Sequence, residues 1–217
     1  MGEAGLSAEA KLREDICRIG ASVFSRGLTH GSTGNISVRL PDGGWLMTPT
    51  GSSLGTLDPE RLSRLDATGN LIGGDAPTKE YFLHTTMYDK RPNAGAVVHL
   101  HSTYSVALSC LECTNPHDCL PPITAYSVMR VGTLPLVPYF PPGDESLAHA
   151  VGELAEKHHA VLLANHGPVV AGTSLAAATD AIEELEESAR LVLLLRGEKL
   201  RLLTPDQVIA LRRRFPS

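Results

Sequence analysis

Apolar residues at helical spacing mark the first element. Leu12, Ile16, Ile19 and Val23 recur every three to four positions, Ser7 stands where a cap belongs and Gly27 where a helix stops, so the pattern predicts a helix over 7–26. The period then changes. In "NISVRLPDGGWLMTPT" polar and apolar residues alternate on both sides of Asp42-Gly43-Gly44, the signal of a β-hairpin, so the sheet contains antiparallel strands. "DAPTKEYFLHTTMYDKRPN" reads as a turn followed by a helix from near Thr78 to just before Pro92. "AVVHLHS", "TLPLVPY" and "AVLLANHG" read as short strands, with a helix over 144–158 that begins after Pro142-Gly143.

A long amphipathic helix follows over 174–196, ending at Gly197. Ile182, Leu185, Ala189 and Val192 form its apolar stripe, and the Glu183, Glu184, Glu186, Glu187 cluster is assigned to solvent. Thr204 as cap and Pro205 at the first helical position open a last short helix with basic residues at its end, as the helix dipole favours. Strands and helices are mixed throughout, with no internal repeat, which predicts an α/β protein.

Composition narrows the class. The chain has 217 residues, 42% hydrophobic and 20% charged, enough for one sizeable core, so a single domain spanning 1–217 is expected. A net charge of -5 without a dense basic patch argues against nucleic acid, and the expected partner is a small molecule. No stretch has the apolar length of a membrane span, and "MGEAGLSAEAKLRED" lacks the apolar core of a secretory signal, so no membrane association and a cytoplasmic location are expected. The opening Met-Gly is not a myristoylation signal, because Leu6 stands where Ser or Thr is required. Cys17, Cys110, Cys113 and Cys119 are too few for a disulfide scaffold. Cys110, Cys113, His117 and Cys119 have the letters of a compact zinc knuckle but lack the longer loop of zinc ribbons, and free thiols are expected.

Candidate chemistry centres on "AGAVVHLHSTYS". Side chains of a strand alternate between faces, so His99 and His101 emerge together while Val98 and Leu100 face the other way. Two imidazoles side by side suit zinc or another borderline divalent ion. His166, where the strand "VLLANHGPVV" runs into Gly167-Pro168, is placed to line a pocket, while His117, His149, His158 and His159 read as surface residues. Glu80 taken alone is a first-turn glutamate that the dipole favours, and His84, one turn later, reads as a half-buried helix residue, with a further metal ligand as the alternative. Two glycine-containing turns precede them, "HGSTGNIS" and "TPTGSSLG", rich in the hydroxyls and backbone amides that bind phosphate. The chain has no Walker loop and no G-x-G fingerprint, which argues against nucleotide chemistry. "GSSLG" has the letters of a nucleophile elbow around Ser53 but not the strand before it or the long helix after it.

"GNIS", "TPTG", a carboxylate just before "YFLH", "VVHLHS" and "NHG" occur in the order and approximate spacing of the class II aldolase and adducin-head family, and the chain resembles that family from about residue 8 to 210. The resemblance implies a three-layer fold with a mostly antiparallel central sheet flanked by helices. It implies that His99, His101 and His166 hold a divalent metal, usually Zn²⁺, with Mn²⁺ or Co²⁺ as alternatives. Glu80 would sit at the open position, ligating the resting metal or moving off it to transfer protons. Asn35, Thr50, Gly51 and Thr78 match positions that cradle a substrate phosphate, with Ser32 as an addition. Tyr126 lies near the place from which aldolases of the family send a tyrosine into a neighbouring subunit's site, and a homotetramer is implied.

A metal bound by three imidazoles keeps a face open for a hydroxyketone and stabilises an enediolate. Retro-aldol cleavage and decarboxylation both leave that species, and only the departing group differs. Aldolases of the family tend to carry two small hydroxyl residues before the glutamate, whereas this chain has Thr78-Lys79-Glu80, and a lysine there can hold a second anionic group or help deliver a proton. With "LTHGSTGNISVRL", "DAPTKE" and "VVHLHSTYSVALSCL", this most resembles the branch of the family that decarboxylates 3-oxo-tetronate 4-phosphate to dihydroxyacetone phosphate. An L-fuculose-phosphate type of aldolase is the nearest alternative, and a non-catalytic adducin-like interaction domain is the more remote one.

Overall fold

The hairpin expected around Asp42-Gly43-Gly44 joins β1 (Asn35–Arg39) to β2 (Trp45–Met47), with Ser37 opposite Met47 and Arg39 opposite Trp45. Asp42 Oδ1 accepts from the Gly44 amide at 3.0 Å, and Gly43 takes the φ of 86° that the turn requires. This computed structural model describes residues 8–112, 114–141 and 144–215. β3 (Ser63–Leu65) and β4 (Leu71–Gly73) extend the sheet beyond β2. β5 (Ala96–His99), β8 (Gly167–Gly172), β7 (Ala160–Leu163) and β6 (Leu136–Val137) extend it beyond β1. Among the described residues the eight strands run β4-β3-β2-β1-β5-β8-β7-β6, and every neighbouring pair is antiparallel except the parallel β6–β7.

Among the described residues seven α-helices flank the sheet: α1 (Ala8–Ser25), α2 (Tyr81–Lys90), α3 (Thr103–Ser109), α4 (Ala125–Arg130), α5 (Ser146–Ala155), α6 (Leu175–Leu194) and α7 (Pro205–Arg214). Because strand side chains alternate, the sheet buries both faces and makes two cores. On one face Met47, Val97, Val161 and Val169 meet Leu83 and Met87 of α2 and Leu147 and Val151 of α5. On the other, Ile36, Leu46, Val98 and Val170 meet Ile16 and Val23 of α1, Leu108 of α3, and Ile182, Leu185 and Ala189 of α6. Each large apolar side chain so buried contributes about 1.5–3 kcal/mol. The result is the expected three-layer α/β fold.

Several expectations change in detail. The cap at Ser7, the knuckle residue Cys113 and the Pro142-Gly143 breaker lie outside the described residues. The helix expected from Thr78 starts at Tyr81, because Thr78 is tied to strand-like structure: its amide donates to Thr48 O at 3.2 Å beside a bridge between Pro49 and Pro77. The strand carrying the two histidines ends at His99, and α3 follows almost at once where no helix was expected. Glu186 is not on the solvent face: it is 7% exposed, and its carboxylate caps α3 by accepting from the amides of Tyr104 and Ser105, both at 2.8 Å. His159 is half-buried rather than superficial and donates to Arg130 O at 2.9 Å. Ser53 caps a short 3-10 turn by accepting from Gly55 N. Cys110 is exposed, while Cys119 is buried with its thiol pushed up to about 12, chiefly by desolvation. Among the described residues no helix is long and apolar enough to cross a membrane.

Candidate metal centre and active site

The start of β1, the end of β5 and the start of β8 lie at one end of the sheet, and this meeting builds the site. Asn35 and His99 face each other across the antiparallel β1–β5 ladder, and His99 pairs on its other side with Val169 of β8. His99 shares a face with Val97, beneath α2. His101 lies two residues past His99, and its ring returns to within 4.8 Å of the His99 ring, centre to centre. His166 comes from the β7–β8 turn, where Asn165 takes a left-handed φ of 55°, tolerable for asparagine. Gly167 then lets β8 pass the histidine segment: a Cβ there would stand 2.5 Å from Leu100 O.

The three rings converge through one kind of atom. His101 Nε2 lies 3.0 Å from His99 Nε2 and 3.1 Å from His166 Nε2. His99 Nδ1 sits 2.8 Å from Pro168 O, which only accepts, so the proton is on Nδ1 and the Nε2 lone pair points into the cluster. Burial holds His99 and His101 below the ordinary histidine pKa, His101 to about 3, so both are neutral. The ring nitrogens thus gather around one point, where a bound cation could be shared by all three in place of the contacts between them. Glu80 completes the set, with Oε1 3.1 Å from His166 Nε2 and Oε2 3.5 Å from His99 Nε2; the four ligand atoms all lie within 4.8 Å of one another. A tetrahedral ion with metal–nitrogen distances of about 2.0–2.1 Å separates its ligands by about 3.3–3.4 Å. The spacing and the N₃O donor set both fit a divalent ion.

Glu80 is the N-cap residue of α2 but makes no capping bond; its carboxylate is turned to the cluster instead. Burial pushes its pKa up, but neighbouring His99 and the hydrogen bonds from His166 and Asn35 outweigh that and hold the carboxyl well below its usual range. Asn35 Nδ2 donates to Glu80 Oε2 at 2.8 Å. The other side of the same amide meets His84 Nε2 at 2.5 Å, so both ends of Asn35, expected among the phosphate contacts, are engaged here. His84 is fully buried rather than half-buried, and it continues through Ser37 Oγ (2.7 Å) to Tyr88 OH (2.8 Å).

The remaining expected residues are distributed unevenly. The bonds Thr50 N to Ala76 O and Thr78 N to Thr48 O join the two loops that carry Thr50, Gly51, Thr78, Lys79 and Glu80. Thr50, Gly51 and Lys79 are exposed and Thr78 is buried, with Thr78 Oγ1 accepting from the Glu80 amide at 3.3 Å. Ser32 is exposed on the loop that leads into Asn35. Tyr126 stands apart on α4, 58% exposed with Arg130 over its ring, and no hydrogen bond among the described residues joins it to the histidines. Ser37 and Tyr88 were not singled out from the sequence. The available signal was Asn35 and Ser37 as polar residues at i and i+2, on one face of a strand otherwise fit for burial.

With this geometry in place, comparison with known proteins is decisive: residues 14–193 match the class II aldolase and adducin N-terminal domain family. The chain belongs to this family. Among its class II aldolase relatives, the 3-oxo-tetronate 4-phosphate decarboxylase of Pectobacterium atrosepticum is 51% identical over 209 residues, 96% of each chain. The L-fuculose phosphate aldolase of Methanococcus maripaludis is 38% identical, over 81% of this chain and 91% of its own. The crystal structure of YgbL from Escherichia coli superposes with a TM-score of 0.93 at 49% identity, covering 95% of this chain and all of that one.

Proposed function

We propose that this class II aldolase-family protein decarboxylates 3-oxo-tetronate 4-phosphate to dihydroxyacetone phosphate and carbon dioxide. The observation that carries the reading is the 51% identity to a decarboxylase of that substrate, spread over 96% of both chains. His99, His101 and His166 would hold the ion, and a donor set rich in imidazole favours Zn²⁺ over harder cations. Such an ion supplies electrophilic stabilisation for the negative charge that develops at the substrate carbonyl when the neighbouring carboxylate leaves.

The rest of the work falls to the chain. Loss of carbon dioxide leaves an electron pair on carbon that must take up one proton; Glu80, ionised at rest and beside the histidines, would take that proton from solvent and pass it to the carbon. Thr50, Gly51, Thr78 and Ser32 offer hydroxyls and amides to the phosphate from the loops beside Glu80. Lys79 is exposed next to Glu80 and would hold the substrate carboxylate, which an aldolase substrate lacks. Four copies of the chain would assemble, and the exposure of Tyr126 supports its serving a neighbouring copy.

The test offers the metal-loaded protein enzymatically generated 3-oxo-tetronate 4-phosphate, and L-fuculose 1-phosphate in parallel, with and without chelator, and follows dihydroxyacetone phosphate. Product from the oxo acid alone, abolished by chelator, is the expected result. Product only from the sugar phosphate would overturn the reading in favour of an aldolase.

A further inference from the structure

We infer that Ser37, His84 and Tyr88 are positioning residues: as a buried hydrogen-bonded chain they set which way the Asn35 amide faces, and so hold the Glu80 carboxylate beside the three histidines. The inference rests on Glu80 being the proton-transfer group of the proposed reaction.

An asparagine side chain is nearly symmetric in shape, so packing alone does not choose between its two orientations. The groups at its ends do. An ionised Glu80 only accepts, so Asn35 must present its NH₂ to that side, and it does so at 2.8 Å. The amide oxygen then faces His84 Nε2, which must donate. A neutral imidazole that donates from Nε2 has only a lone pair at Nδ1, so the hydroxyl of Ser37, 2.7 Å away, must donate to it. Having spent its proton there, Ser37 accepts from Tyr88 OH at 2.8 Å. Every link has one allowed direction, and the end of the chain is clamped: Arg39 Nη2 donates to Tyr88 O at 3.0 Å, its guanidinium lies 4.7 Å from the centre of the Tyr88 ring, and Trp45 stacks on that ring.

Water has no access with which to repair a wrong orientation. Asn35 is 4% exposed, Tyr88 1%, and Ser37 and His84 fully buried. If the His84 ring took the other tautomer, two lone pairs would face each other at 2.5 Å and Asn35 would turn its oxygen towards the Glu80 carboxylate. None of the three residues reaches the histidine cluster itself, so they act on catalysis through Asn35.

The first test reads the wild-type protein. Long-range ¹⁵N–¹H correlation of histidine rings in the metal-free protein, with His84 assigned from the spectrum of His84→Gln, should show His84 only as the Nε2–H tautomer. A Nδ1–H ring or an even mixture overturns the chain. In the metal-loaded protein Ser37→Ala should introduce the second tautomer and lower kcat about 10–100-fold, the range typical of groups that orient metal-site residues, with KM and metal content near wild type. Unchanged kcat, or a loss that simply follows loss of metal, overturns the positioning role. Tyr88→Phe, which removes only the last hydroxyl, should act in the same direction and serves if Ser37→Ala does not fold. Wild-type turnover in Glu80→Gln would instead defeat the functional reading while leaving the tautomer result intact.

Discussion

At His84 burial decides charge. Desolvation holds its pKa down to about 3, against about 6.5 in an unfolded chain. Below about pH 6.5 the unfolded chain binds a proton that the folded one refuses, so stability is complete above that pH and is lost progressively as pH falls towards 3, by up to about 1.4 kcal/mol per pH unit for this one group. Denaturant midpoints of the metal-free protein should therefore drop between pH 7 and pH 5, with a shallower drop in His84→Gln. Lys79 is the opposite kind of residue, exposed and adjacent to Glu80, the proposed proton carrier. Lys79→Ser should leave thermal stability within about 0.5 kcal/mol of wild type. It should lower kcat/KM for the oxo acid at least about tenfold, mainly through KM, because the substrate carboxylate loses its counter-charge. The histidines at 99 and 101 were legible as a pair from their i, i+2 spacing, although β5 ends at His99 and the His101 ring reaches the cluster from beyond the strand. The partners of His84 were not, since a serine in one strand and a tyrosine at the far end of a helix meet only through the tertiary fold.

α3 is held from outside itself. Its first amides, at Tyr104 and Ser105, are satisfied by the buried carboxylate of Glu186 on α6, and the Ser105 hydroxyl donates there as well. Because α3 starts two residues after His101, that contact also anchors one side of the histidine cluster. Glu186→Ala should cost about 2–3 kcal/mol in chemical denaturation, since it leaves buried donors unpaired, and should weaken metal retention more than Glu186→Gln does. The long elements α1 and α6 and the β1–β2 hairpin were readable because repeated apolar spacing or a turn sequence specifies each of them locally. α3 and α4 have seven and six residues, and β3 and β4 three each. Elements that short take their form from what they pack against or pair with, and α3 contains Thr103 and Val106, poor helix formers overridden by packing on α6. Glu186 was misplaced for the same reason: helix periodicity puts it beside the apolar stripe but says nothing of the helix end that needs a cap.

Across the whole molecule, the sheet brings donors from α2, β5 and the β7–β8 turn to one end, so an ion bound there ties together both the α2 layer and the central strands. An ion that binds only the folded chain stabilises it by about 2.7 kcal/mol at a free concentration a hundred times Kd. For a chain of this size that corresponds to a rise in Tm of about 5–10 °C. Adding Zn²⁺ to chelated protein should raise Tm by this order, and His101→Ala should abolish the rise; an equal rise in the variant would mean that the histidine cluster is not where the ion binds.

The position of β5 has a consequence for how the chain reaches this state. β5 is hydrogen-bonded on one side to β1, far earlier in the sequence, and on the other to β8, far later. The β1–β2 hairpin closes a short loop and forms early, but it carries none of the four donors. His99 and His166 become neighbours only after the long loop between β5 and β8 has closed, which is entropically the slow step. A site that needs all four donors would thus form late in folding, once the central sheet is complete.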